Sequence, residues 1–342
     1  MHKQGFTTLQ ALLVVMLLVL AMAIGYWFLN PPAADSTLRV GVVLWGHHDA
    51  GLWDPAAANA VLALQGKYAF TVIWSEEIDI TQIEIILHNL AQTCDIVYLT
   101  TDEFEEACNH VAPLFPDVYW IIEYEAQSIA SDRFPSNVVA FNAYQAYQLS
   151  FLAGAVAAKI TQTNTLGVIQ AIPGPRDTRL MSAPFRAGAH FVNEDIEVLR
   201  TVVGAYVDPF QTRNSVAAFA EAECDVIFVG MDDESGTLEA QEQGIYTLQE
   251  YLDITAQYPE TILGCTVWNW TGWLDHVFDA IVNDRFVEFR TQYYEMPLSL
   301  ADRSLDIPTF GTVVSQEVRD FYETLRSQIL TGEVEVPIIS EW

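Results

Sequence analysis

Short apolar runs alternate along most of this chain with helix-length amphipathic stretches. The first series of runs covers residues 38–44, 70–74, 95–99, 118–122 and 138–141, with helical patterns at 55–65 and 80–91 between them. After a helical stretch at 143–160, a second series covers 165–170, 197–203, 225–229, 245–248 and 262–267. Strand and helix patterns that alternate in this way predict βα units around buried parallel sheets. The fold class is therefore α/β, as two doubly wound lobes in series. Glycine and proline punctuate the strand ends at Gly46, Gly51, Pro173-Gly174-Pro175, Gly204, Asp208-Pro209 and Gly230. Ligands of open α/β sheets bind at such ends, so the pattern predicts a clamshell with its ligand between the lobes.

One segment breaks the alternation. Residues 9–29 are almost continuously apolar, follow His2 and Lys3, and precede Asn30-Pro31-Pro32. That length spans a bilayer as a helix. A cleavable signal peptide ending at Ala21-Met22-Ala23 is one reading, but the apolar run continues through Ile24-Gly25-Tyr26-Trp27-Phe28, which favours an uncleaved anchor. A third reading is a prepilin-type processing site at Gly5-Phe6-Thr7-Thr8-Leu9-Gln10. The expected organisation is an anchor or signal segment at 1–30, a linker at 31–37, a first lobe of 38–142 plus 266–305, and a second lobe of 143–265 plus 306–342. The expected location is extracytoplasmic, in the periplasm or at the cell surface, held to the cytoplasmic membrane through the N-terminal helix.

Charge narrows the range of partners. Fifteen Lys and Arg against 45 Asp and Glu give a formal charge of −30 over 342 residues, which repels nucleic-acid polymers. Four cysteines leave room for two disulfides, with Cys94 and Cys108 the nearest pair, although Cys224 and Cys265 fall in or beside runs that read as buried strands. No CxxC or paired His-Cys spacing suggests a metal, and neither a dinucleotide fingerprint nor a phosphate loop suggests a cofactor. A hydrolase finds no G-x-S-x-G elbow and no H-E-x-x-H. The chain reads as a binding protein without cofactor, metal or catalytic residues, expected to be monomeric.

Several runs then carry a family resemblance by their order and spacing. They are Phe115-Pro116-Asp117-Val118, Ser150-Phe151-Leu152-Ala153-Gly154, Ile172-Pro173-Gly174-Pro175 with Arg179 downstream, Asp208-Pro209, Cys224-Asp225-Val226-Ile227, Gly244-Ile245-Tyr246, Val267-Trp268-Asn269-Trp270 and Asp306-Ile307-Pro308-Thr309-Phe310-Gly311. From about Leu38 onward the chain resembles the basic membrane protein family of periplasmic binding proteins, receptors for ABC importers of purine nucleosides and related solutes. The resemblance implies the type I periplasmic binding fold of two Rossmann-like lobes, with crossovers near Asn142, Thr266 and Asp306. It also implies a small-molecule ligand, a purine base or nucleoside, and an ABC permease as partner. A membrane-anchored sensor on the same fold is the alternative.

The ligand-binding candidates follow from this resemblance and from what a purine needs, aromatic faces and a few polar groups to read its edge. In the first lobe they are Trp45, His47, Asp49 and Trp53, where the family carries a D-x-G/S-aromatic segment; Asp49-Ala50-Gly51-Leu52-Trp53 matches it with one extra residue. In the second they are Tyr206, Asp232, Trp268 and Asn269. Nucleoside-binding relatives have Lys at the position of Trp268 and Asp at that of Tyr251, so the resemblance favours a free base here. Arg179 is a further candidate to close the cleft.

Overall fold

The central strands are runs of β-branched and aromatic residues buried on both faces, as a parallel sheet requires. In the computed structural model, which describes residues 37–342, the first sheet is built from β1 (Arg39–Val43), β2 (Thr71–Ser75), β3 (Ile96–Leu99), β4 (Tyr119–Tyr124), β5 (Val138–Asn142) and β11 (Glu295–Pro297). Its order is β11-β5-β4-β3-β1-β2, parallel throughout. The second sheet holds β6 (Thr165–Gln170), β7 (Glu197–Val202), β8 (Val226–Gly230), β9 (Tyr246–Tyr251), β10 (Ile262–Trp268) and β12 (Leu305–Asp306). Its order is β12-β10-β9-β8-β6-β7, with only the β10–β12 pair antiparallel.

The main helices of the first lobe are α1 (Trp53–Tyr68), α2 (Ile83–Ala91) and α3 (Glu105–Val111). Those that follow β5 are α4 (Ala146–Ile160), α5 (Ala183–Val192), α6 (Pro209–Glu221), α7 (Ser235–Gln243), α8 (Thr271–Val282), α9 (Phe286–Gln292) and α10 (Gln316–Thr331). Helix α8 returns to pack on α1, and α10 packs on α4. The chain thus passes between the sheets three times, after β5, after β10 and between β11 and β12. Because β10 runs on to Trp268, residues 266–268 lie in the second sheet rather than at the start of a return to the first.

The run Ser150-Phe151-Leu152-Ala153-Gly154 has a packing role. A Cβ on Gly154 would lie 1.9 Å from the Phe185 carbonyl oxygen, and one on Gly188 would lie 1.9 Å from that of Phe151. Helices α4 and α5 therefore touch backbone to backbone. All four cysteines are free and buried, so neither possible disulfide exists; Cys94 and Cys108 instead sit in the apolar core of the first lobe. Among the described residues no helix is long and apolar enough to cross a membrane. The apolar run at 9–29 lies outside the described residues.

Candidate ligand cleft

The C-terminal ends of the parallel strands in both sheets open onto one cavity of about 670 Å³. Its wall takes Trp45, His47, Trp53 and Asp54 from the first lobe, and Tyr206, Asp232, Glu250, Tyr251 and Trp268 from the second. The Trp53 ring, on the first turn of α1, reaches across. It packs edge-on against Tyr251, Trp268 and Trp270 at centroid distances of 5.0, 5.4 and 5.3 Å. Its indole N–H donates to the Thr100 carbonyl at 2.9 Å, which fixes the ring plane. Trp45 leans on Phe104 at 5.3 Å. Tyr206 is the most open of the aromatic residues on this wall, at 36% exposure.

Asp232 follows β8, yet its Oδ1 accepts the backbone N–H groups of Leu52 and Trp53 from the other lobe, both at 2.6 Å. A carboxylate on the first amides of a helix is favoured by the orphan donors and by the helix dipole. Gly51, at φ +85°, lets the chain turn tightly against that carboxylate; a Cβ there would meet Oδ1 at 3.0 Å. Burial pushes the Asp232 carboxyl up from its ordinary range, against the two amides that pull it down.

The structure does not bring all the candidates together. Asp49 is exposed in the turn after His48 and is not part of the cavity wall. Asn269 is also exposed and off the wall, and its Oδ1 accepts the Thr271 amide at the start of α8. His47 stands at the rim, with Glu76 and Glu77 at 3.7 and 3.4 Å. His48 stacks on Trp74 and binds Glu76. Arg179 lies over the Tyr144 ring rather than in the cleft.

The cleft arginine is Arg176 instead. From the second lobe its Nε donates to Glu125 at 2.7 Å and its Nη1 to Asp102 at 3.2 Å, both first-lobe carboxylates. Two further acids went unnoticed in the sequence. Asp54 is 2% exposed. Its Oδ2 accepts the Gly46 amide at 2.6 Å, while Oδ1 has no hydrogen-bond partner. Burial, with a lesser push from the Asp232 charge, raises this carboxyl to about 6. Glu250, on β9, is 4% exposed, and burial, followed by the charges of Asp177 and Glu125, raises it to about 8. An acid in a first helical turn reads as a dipole partner, which hid Asp54; Glu250 lies beyond residue 248, where the strand pattern fades. Among the described residues no group of three or more His, Cys, Asp or Glu is arranged to hold a metal ion.

Residues 38–337 match the family described as ABC transporter substrate-binding protein, PnrA-like. A Haloferax volcanii protein that carries the provisional name ABC transporter glucose-binding protein TsgA13 is 24% identical over 83% of this chain and 70% of its own length. A purine-binding protein of Brucella abortus is 24% identical over 74% of this chain and 71% of its own. Among solved structures, an ABC transporter solute-binding protein from Conexibacter woesei superposes with a TM-score of 0.74 at 19% identity, covering 88% of this chain and 99% of that one. The fold is that of the type I periplasmic binding proteins.

Proposed function

Because the chain belongs to the family of PnrA-like substrate-binding proteins of ABC transporters, we propose that it captures a purine base between its lobes and delivers it to a permease. Proteins of this family bind their solute without chemistry and work outside the cytoplasm. The observation that carries the purine reading is the aromatic wall: Trp53, Trp268 and Tyr206 bound a cavity wide enough for a flat bicycle. Stacking on such faces supplies affinity, and polar groups at the edge supply identity. Trp45, His47 and Asp232 complete the wall, with Asp232 acting chiefly on helix α1. The donors are largely committed, Arg176 to Glu125 and Asp102 and the Trp53 indole to Thr100. That leaves few groups to satisfy the acceptor side of a ribose or a hexose, and the base is preferred to its nucleoside.

Calorimetry of the protein with adenine, guanine, hypoxanthine, their nucleosides and glucose tests this. A base is expected to bind more tightly than its nucleoside. Tyr206→Ala, which removes the most open aromatic ring on the wall, is expected to cost about 1 to 3 kcal/mol, or roughly five- to a hundredfold in affinity. Tighter binding of glucose or of a nucleoside than of any base would overturn the reading.

A further inference from the structure

The cavity is unusually one-sided in charge. Asp54, Glu125, Asp177, Asp232, Asp233 and Glu250 reach its wall, against the single guanidinium of Arg176, already held by Glu125 and Asp102. Three of these acids have work within the protein: Asp232 caps α1, Glu125 holds Arg176, and Asp233 accepts the Ser235 amide at Oδ1 while its Oδ2 is buried without a partner. Two are different. Asp54, in the first lobe, keeps Oδ1 buried and without a partner while its other oxygen is fixed by the Gly46 amide. Glu250, in the second lobe, is nearly as deeply buried, and its carboxylate lies beside Gly230 and Met181 on the cavity wall. The unpaired Asp54 oxygen costs stability, and a ligand donor that satisfies it recovers that cost on binding.

We propose that Asp54 and Glu250, one from each lobe, read the polar edge of the ligand by accepting its N–H groups, and so select amino-bearing or cationic heterocycles and reject anionic ones. This deepens the reading of the cleft as a purine site and rests on it. Within that class the choice falls on aminopurines, because the two N–H bonds of the adenine amine, or the N1–H and amine of guanine, offer two donors on one edge. An oxidised purine such as urate, anionic near neutral pH, would bring a negative charge against the Asp54 carboxylate. Because the two readers stand on different lobes, both are engaged only when the lobes are together, so the same contacts that select the ligand also favour closure.

The test is calorimetry on the full-length chain in detergent near neutral pH, with adenine, guanine and urate as probes. Adenine and guanine are expected to bind at least about tenfold more tightly than urate. Asp54→Asn, which keeps shape and removes charge, is expected to weaken adenine about tenfold and to bring urate within about threefold of it, and Glu250→Leu, which removes the acceptor, is expected to weaken adenine about tenfold without that gain for urate. The melting temperature without ligand shows that each variant folds, and either variant alone carries the test. Unchanged adenine affinity in both variants, or urate bound as tightly as adenine by the parent protein, would overturn the proposal. If no purine binds but cytosine or agmatine does, with the same loss in the two variants, the purine reading falls and the acidic pair stands. A neutral sugar that binds indifferently to both substitutions would sink both.

Discussion

Glu250 has a free-energy consequence that does not depend on any ligand. Burial keeps its carboxyl protonated in the folded chain up to about pH 8, while an ordinary glutamate ionises near 4.5. Between those values the folded state holds a proton that the unfolded state has released. The contribution of this residue to stability is therefore fully present below the lower value and is lost as pH rises toward the upper one. Asp54 acts in the same direction between 3.8 and about 6. Glu250→Gln is expected to flatten the fall in stability between about pH 4.5 and 8 and to raise the melting temperature of the empty protein at the upper end of that range, as scanning calorimetry across pH would record. A steeper fall in the variant would show that the residue is not held neutral. At this scale the sequence was only partly legible. Trp45, Trp53, Tyr206 and Trp268 reach the cavity because aromatic residues near the ends of parallel strands have few other places to go. Asp49 and Asn269 do not, since a polar side chain in a turn finds water or a backbone amide as readily as a cleft. The Arg176 and Arg179 positions differ by about one turn of helix, which a pattern of residues cannot resolve without the direction of the turn.

The contact between α4 and α5 decides more than any single side chain around it. Gly154 and Gly188 each face a carbonyl of the opposite helix at a distance no Cβ tolerates. Overpacking of this kind typically costs about 1 to 3 kcal/mol, and backbone that must move places Gly154→Ala and Gly188→Ala at the upper end of that range. Chemical denaturation is expected to show a lower midpoint for each with little change in slope. The double variant is expected to lose less than the sum, because the first substitution already parts the helices. The elements themselves were largely visible in the chain. Residues 165–170 form β6 with the bounds that the apolar run suggests, since Asn164 and Ala171 frame it. Strand β9 runs to Tyr251 instead of ending at 248, because Gln249 and Glu250 are polar and yet buried. Hydropathy alone truncates a strand whose last residues face a cavity. Helix α1 begins at Trp53, ahead of Pro55, since proline is tolerated in a first turn that Asp232 caps from outside.

At the scale of the molecule, the two lobes are joined by bonds that do not involve a ligand. Arg176 reaches Glu125 and Asp102, and Asp232 reaches the start of α1. Solvent screens an ion pair such as that of the half-exposed Arg176, and pairs of this kind contribute little individually. The Asp232 bond, which satisfies helix N–H groups, is worth about 1 kcal/mol. Arg176→Ala combined with Asp232→Ala is expected to shift the empty protein toward an open form, with a larger radius of gyration in solution scattering that contracts again when ligand is added. An unchanged radius would show that the chain crossings, and not these side chains, hold the lobes together. Crossings were expected near Asn142, Thr266 and Asp306, but the side chains that span the cleft were not foreseen. Contacts between residues 51 to 180 positions apart have no local signature.

The seat of Trp53 has a further consequence, an optical one. Its indole lies close to three other aromatic rings at steep angles, and electronic transitions in rings so placed couple to one another. Fixed asymmetric packing of this kind is what near-ultraviolet circular dichroism records. Trp53 arrives on one lobe, while Tyr251 and Trp268 belong to the other, so an opening that parts the lobes would switch the coupling off. The protein thereby carries an intrinsic chromophore for its own closure, readable without a label and in the same cuvette as the ligand titration.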